Sequence, residues 1–381
     1  MNALALNSGG GSNRAVLYAL PEGDALPLEP PPPLWSGEIE ENDAPLDRLF
    51  ASLPDVPLAF VAHRVVHGGL DPARPLQAPI DAAVLDAIRA ALPLAPSHNG
   101  SALDGIAYAQ RRFPDVPQIA VFDDALGPDA PDLAQTVTGP PEWRARFGIR
   151  RIGFHGISHR DVVERVPALL GRSKAKIISV HLGSGASAIA FDGERVVETT
   201  MGMTPLDGAM MGTRAGAVDP GVLFHLLRKG YDAARLEDDV RHHSGLAGIS
   251  GVSLDTRILI DAAEKGNGRA RFALDLYYYR MAQCIGGLLA TLNGADALSF
   301  TGPIGQHMPA VRAGVVARLA FAGFELDAER NGAIAEGEPV DGPLHADDSR
   351  PVFAVRTLEE WAMLRRAISL IPRSVGPCNN R

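Results

Sequence analysis

Apolar positions in this chain cluster in short runs, and the runs alternate with segments of helical period. "ALAL" (3–6) and "AVLYAL" (15–20) flank the polar "NSGGGSNR", a pattern that predicts strand, tight turn and strand. "LAFVAHRVVHGG" (58–69) predicts a buried strand ending in a double-glycine turn. Helical patterns follow over 81–92 and 101–113, and "QIAVFDD" is a further strand. Strands apolar on both faces, alternating with helices, predict a layered α/β fold.

After the corner "GFHGISHRDVVERVPALL", which leads into a helix, "KIISVHLGSGASAIAF" repeats the opening theme of apolar strand, Gly/Ser turn and apolar strand. Two such hairpins predict a duplicated domain with a ligand held between the copies. A third glycine loop, "SFTGPIGQHM", follows the strand "ALSF" and precedes a helix near 309–320. The period over 271–292 predicts a long buried helix, and the chain closes with strand "PVFAV", helix "TLEEWAMLRRAISLI" and a frayed tail over 372–381. The proline- and acid-rich stretch 21–57, with "EPPPPLW", reads as sheet edge and surface loop rather than helix.

Composition narrows the partners. A chain of 381 residues, 46% hydrophobic and 21% charged, has room for two cores. A formal net charge of −9 with no long Lys/Arg run argues against a nucleic-acid partner. Cys284 and Cys378 are the only cysteines, so no disulfide framework is expected. The first residues lack the basic start and apolar length of a signal peptide, and no run of about eighteen apolar residues follows. The expectation is a cytoplasmic protein, neither exported nor membrane-spanning.

The candidate chemistry lies at the glycine turns. Gly/Ser turns between strands expose backbone N–H groups that suit phosphate oxygens without net positive charge. None of them is a P-loop or a dinucleotide fingerprint. Arg64 in "HRVVHGG" and Arg214 in "MMGTRAGAVDP" sit among glycine and apolar residues, where a guanidinium needs a phosphate, a carboxylate or a salt-bridge partner. Asp123 ends a strand, where open α/β sheets place functional groups, although a turn cap would read the same way. The pairs His63/His67 and His155/His159 have metal-like spacing, but no cysteine or H-E-x-x-H accompanies them, so hydrogen-bonding histidines are expected rather than zinc.

Eight segments in order, "HRVVHGG", "LAPSHN", "VFDDA", "GFHGISH", "HLGSGAS", "TPLDGAMMGTRAGAVDP", "GISGVSLDTR" and "FTGPIG", resemble the acetate and butyrate kinase family of the actin-like superfamily. The resemblance spans nearly the whole chain. It implies two related actin-like (ribonuclease H-like) domains with a cleft between them, the first over 1–127 plus 361–381 and the second over 128–360. It implies a homodimer that uses ATP, with magnesium or alternatively manganese, to phosphorylate acetate reversibly to acetyl phosphate. Propionate, butyrate or another short acid is the alternative, and a catalytically impaired nucleotide-binding relative is a third reading.

By the same resemblance Asp123, Arg64, Arg214 and His155 are catalytic, with His155 and Arg214 stabilising the transition state. Asn7 and Glu359 stand near the metal, with Glu360 one residue away. Arg64, Val66, Ser97, Phe154 and Pro205 would meet the acid. Arg14, His181, Gly183, Ser184, Gly185, Asp255, Thr256, Arg257, Gly302 and Gly305 would meet the nucleotide, and His98 is a further active-site histidine.

The chain departs from the family pattern at Gly10, Ser97, Asp124, Leu126, Gly127, Ser184, Pro303, Gln306 and His307. Ser97 stands where the family has leucine, so a smaller, polar wall would alter acyl preference.

Overall fold

The computed structural model describes residues 1–9, 12–23, 25–40, 46–334 and 341–371. The expected tail over 372–381 and Gly10 of the first turn lie outside the described residues. The chain divides into two compact units: Met1–Gly69, Ala73–Asp123 and Leu358–Arg381 form the first, and Leu70–Pro72 with Asp124–Thr357 the second.

The first unit holds a six-stranded sheet of β1 (Asn2–Ser8), β2 (Ser12–Ala19), β3 (Trp35–Glu40), β4 (Leu58–Val65), β5 (Gln77–Pro79) and β6 (Gln118–Phe122), in the order β3-β2-β1-β4-β6-β5. β1, β4 and β6 run parallel, while β2, β3 and β5 are antiparallel to their neighbours. The second unit repeats this plan with β7 (Lys176–Leu182), β8 (Ala186–Asp192), β9 (Arg195–Thr199), β10 (Ala297–Thr301), β11 (Gly342–Pro343) and β12 (Val352–Ala354). Its order is β11-β12-β10-β7-β8-β9, with β7, β10 and β12 parallel. Matching order and matching sense make the two units copies of one topology, as the repeated hairpin in the sequence predicts.

The cores follow from the apolar runs. In the first unit Leu4, Leu6, Leu17 and Val61 pack with Phe50 and Ala109, while Val65 and Phe122 pack with Ile88 and Ile106 on helices Ala82–Ala90 and Pro96–Arg112. In the second, Val162 and Val166 of helix Gly156–Leu169 cover Ile177, Ile189 and Phe191. All five residues of β6 and of β10 are buried, which is why those runs lack polar alternation.

Four expectations need correction. A short helix, Leu46–Leu49, occurs inside the stretch read as loop, because Leu49 and Phe50 fill the space beside Trp35 and Tyr108, whose rings stack on Phe50. Helix Gly268–Leu292 buries one face only, with Phe272 and Tyr279 outward at 61% and 50% exposure. The third glycine loop is itself a short helix, Gly302–His307: Gly302 holds φ at +77° against the Leu182 carbonyl, and Pro303 presets the first turn. The helix expected over 101–113 also starts earlier, at Pro96, for the same proline reason. Among the described residues no helix is long and apolar enough to cross a membrane.

One buried histidine gives the first unit a pH-dependent stability. His63 Nε2 lies 2.7 Å from Gln118 Oε1, and the Gln118 amide nitrogen donates to the Val116 carbonyl. Burial lowers the His63 pKa to about 4, with the Gln118 hydrogen bond opposing. The folded pKa lies below the unfolded value, so neutral His63 is compatible with folding above about pH 6.5, and stability is lost as pH falls toward 4. Between pH 7 and about pH 5 the loss from this group is about 2 kcal/mol. Urea unfolding should therefore show a steeper acid decline for the native chain than for His63→Gln; parallel declines would contradict it.

Candidate active site

In the first unit the site grows from the carboxyl ends of three neighbouring parallel strands. Leu6 pairs with His63, and Arg64 and Val65 pair with Val121 and Phe122, so Asn7, Arg64 and Asp123 emerge side by side. Open α/β sheets place functional groups there. Arg64 donates to Asp123 Oδ2 from Nη2 at 2.6 Å and from Nε at 3.1 Å, and from Nη1 to Asn7 Oδ1 at 3.2 Å. Asn7 Nδ2 in turn donates to Glu359 Oε2 and Glu360 Oε1, both at 3.1 Å. These two glutamates open helix Glu359–Ala367, whose N-terminal turn favours anions.

Five site side chains thus share one network. The sequence left the register between Glu359 and Glu360 open, and both reach Asn7. Burial alone would lower the Arg64 pKa, but Asp123, Glu359 and Glu360 together raise it. Burial pushes the Glu359 carboxyl up to about 7, with Arg64 opposing and Asp123 and Glu360 adding. The network therefore sets three carboxyl groups against one buried guanidinium. Arg14 stands beside it, 3.7 Å from Glu360. His98 begins the helix against which Gly9 packs, and a Cβ on Gly9 would lie 3.2 Å from His98 Cα. Val66 is buried, and Ser97 is exposed at the start of the same helix.

The second unit builds its site around the turn Gly183–Gly185 between β7 and β8. "GFHGISH" is a corner: Gly153 has φ +66°, His155 is left-handed at φ 59°, and helix Gly156–Leu169 begins immediately after. A Cβ on Gly156 would stand 2.1 Å from the Asp124 carbonyl oxygen, so only glycine lets the chains approach this closely. His155 and Asn293 are the only non-glycine residues at positive φ among the described residues, and such strain concentrates at functional sites. Phe154, beside His155, is buried.

The corner aims His155 at the glycine turn. A Cβ on Gly185 would meet His155 Cε1 and Nε2 at 3.0 Å and Arg214 Nη1 at 3.5 Å. Arg214 is also held by the Pro205 carbonyl, 3.1 Å from Nη1. Its loop closes tightly because Gly216, at φ +74°, lies against the Ala209 and Gly208 carbonyls. Beyond the turn, His181 Nε2 would be 3.5 Å from a Cβ on Gly183. Its ring stacks on that of His155, centroids 4.4 Å apart at 22°.

A cavity of about 280 Å³ opens from this turn. Gly183, Ser184, Asp255, Thr256 and Arg257, expected from the resemblance to meet the nucleotide, line it. Asp255 caps helix Thr256–Glu264 and pairs with Arg257 at 2.8 Å. Gly302 lies against Leu182, and Gly305 packs on Phe300; their helix presents Pro303, Ile304 and His307 to the cavity instead. Gly302 N–H and the Gln306 amide both donate to Thr357 Oγ1, and buried Arg312 donates to the carbonyls at the helix end.

Comparison with known proteins decides the family. The model of the acetokinase family matches residues 50–365. This chain belongs to the acetokinase family. A relative named acetate kinase from Acaryochloris marina is 40% identical over 398 residues, covering 95% of this chain and 98% of that one. Another acetate kinase, from Gloeobacter violaceus, is 40% identical and covers 96% and 98%. Among solved structures, Porphyromonas gingivalis acetate kinase has a TM-score of 0.83 at 30% identity, covering 97% of this chain and all of that one. A propionate kinase from Francisella tularensis has a TM-score of 0.84 at 29% identity, covering 96% and 98%. The two related α/β units are therefore those of the actin-like architecture of acetokinases, and the chain is a phosphotransferase acting on a carboxyl acceptor.

Sequence reasoning missed part of this acetokinase site. Gly212, Leu254, Ile304 and Met308 complete the cavity lining, three of them apolar residues inside loops or short helices where no periodicity marks them. Ser158, Ser179 and Ser187, which hold the three histidines, were also passed over.

Proposed function

We propose that this chain uses ATP to phosphorylate a short-chain carboxylate, acetate first, forming acetyl phosphate and ADP reversibly. The observation that carries the reading is the turn at Gly185, where Arg214 Nη1 and His155 converge at the edge of a nucleotide-sized slot. The base occupies the slot against Leu254, Ile304 and Met308, and its phosphates run to the Gly183–Gly185 turn. An acetate oxygen attacks the γ-phosphorus, the bond to the bridging oxygen of ADP breaks, and that oxygen keeps the electron pair. Acetate is ionised at neutral pH, so no general base and no nucleophilic side chain are needed. Arg64 neutralises the acceptor carboxylate, and Arg214 with His155 meets charge on the equatorial oxygens.

The residues present suit a magnesium ion. Asn7, Glu359 and Glu360 offer oxygens where three carboxyl groups outnumber the buried guanidinium, and burial, with the Asp123 and Glu360 charges adding, pushes the Glu359 carboxyl up to about 7. Among the described residues no group of three His, Cys, Asp or Glu is placed to hold a metal ion by itself. That accords with magnesium, which keeps its waters and binds through one or two carboxylates and substrate phosphates. When bound it would neutralise phosphate charge.

Ser97 is the proposed acyl-selectivity residue. Ser97→Leu should raise the preference for acetate over propionate about fivefold, within the range one methylene commands in a pocket. Competition between the two acids reads this, and an unchanged ratio would remove Ser97 from the pocket. A homodimer is proposed as well. Helix Pro220–Arg228 buries none of its residues, while Val222, Phe224 and Leu227 are exposed. Light scattering should give twice the chain mass; a single chain mass would count against it.

Hydroxylamine trapping with Mg-ATP and a panel of two- to four-carbon acids tests the whole reading. Acid-dependent hydroxamate is expected. ADP release without hydroxamate would overturn it.

A further inference from the structure

Three histidines and three serines interlock between the second sheet and helix Gly156–Leu169. Ser179 and His181 lie two apart on β7, and Ser187 pairs opposite His181 on β8, so all three share one face. His155 at the helix cap, with Ser158 and His159 on its first turn, faces them. His155 Nδ1 lies 2.7 Å from Ser187 Oγ, and His159 Nε2 lies 2.8 Å from the same oxygen. His159 Nδ1 is 2.8 Å from Ser179 Oγ, and His181 Nδ1 is 2.8 Å from Ser158 Oγ. Ser179, Ser187 and His159 are fully buried.

Proton counting gives this chain a direction. Ser179 makes its one side-chain hydrogen bond to His159, so a Ser179 hydroxyl that accepts would leave its own buried proton unbonded. Ser179 must donate to His159 Nδ1. Burial and neighbouring His181 lower the His159 pKa well below its ordinary value, so the ring is neutral and its one N–H is at Nε2. That N–H donates to Ser187, whose single proton then goes to His155 Nδ1. A neutral His155 so bonded carries its proton on Nε2, the atom facing the Gly185 turn. The reverse polarity would turn a bare Nε2 toward that turn.

We propose that Ser179, His159 and Ser187 are positioning residues that fix His155 as the neutral Nε2–H tautomer, a hydrogen-bond donor ready for a phosphoryl oxygen. Its catalytic consequence rests on the kinase reading above; the tautomer itself does not. No residue of the relay need touch substrate.

The test uses full-length protein labelled with ¹⁵N-histidine, the His155 signals being those lost in His155→Asn, and compares the native chain with Ser179→Thr and Ser179→Val. The two variants are isosteric, so packing is matched and only the hydroxyl differs. The native chain and Ser179→Thr should show His155 protonated at Nε2. Ser179→Val should show mixed tautomers, with kcat reduced by the lost fraction, roughly fivefold, and KM for ATP unchanged. A native His155 protonated at Nδ1, or a Ser179→Val protein with native tautomer and native kcat, would overturn the relay. An Nε2–H tautomer in a protein that makes no acyl phosphate would uphold the relay and sink the kinase reading instead.

Discussion

Arg214→Ala should lower kcat about 10²- to 10³-fold, the loss typical when a preorganised partner of transition-state charge is removed. ATP binding should stay within about threefold, because the base and its slot lie against residues other than Arg214. The guanidinium is pinned by the Pro205 carbonyl and stands over Gly185 beside His155. It is therefore in place before the reaction begins, and no reorganisation is needed as charge moves to the equatorial oxygens. Lysine at the same position would restore charge but not the planar fork, so Arg214→Lys should recover only part of the rate. Steady-state kinetics with a nucleotide-binding titration separates the two quantities. An Arg214→Ala enzyme with native kcat and weak ATP binding would make Arg214 a nucleotide ligand instead.

Asp123→Asn should cost activity and stability together. Asp123 is completely buried, and its partner Arg64 is only 11% exposed at the side chain. Removing one charge of a buried pair costs about 3–5 kcal/mol where the other is left alone, and less here, because asparagine still offers an oxygen and Glu359 and Glu360 remain near Arg64. Arg64 would then turn toward Asn7 and the glutamates, and kcat should fall about 10²-fold. Because the acceptor is already ionised, Asp123 has no proton to remove, and the loss should persist at high pH. A rate loss that vanishes at high pH would point to proton transfer through Asp123. Thermal unfolding gives the stability half of the result, and an unchanged midpoint would show that Arg64 finds another anion.

Both residues were legible in the sequence because strand ends and glycine-bearing arginine loops are local patterns. The strand–turn–strand hairpins, the buried β6 and the corner at His155 were legible for the same reason. The register between Glu359 and Glu360 was not, since the equal reach of Asn7 to both depends on the angle at which a distant helix docks. The serines escaped notice because a serine two residues from a histidine in a strand looks like ordinary alternation. Only the packing of helix Gly156–Leu169 shows that these hydroxyls are buried between rings. The apolar lining comes from two separate segments, Leu254 from one and Ile304 with Met308 from the other, and no period in the sequence links the two. The short helices at Leu46–Leu49 and Gly302–His307 are set by tertiary filling and a single positive φ, not by propensity.

The first unit is discontinuous, and this bears on the order of events at the ribosome. Trp361, fully buried from helix Glu359–Ala367, rests its ring 5.0 Å from that of Tyr18 on β2 and donates to the Pro27 carbonyl. The same helix brings Glu359 and Glu360 to Asn7. A nascent chain that has emerged only through Asp123 lacks this helix, so Trp361 is absent from its seat at Tyr18 and Pro27, and Asn7 is without both glutamates. The second unit, nearly continuous from Asp124 to Thr357, is complete before them. Synthesis thus withholds Glu359 and Glu360 from Asn7 until the second unit has been made.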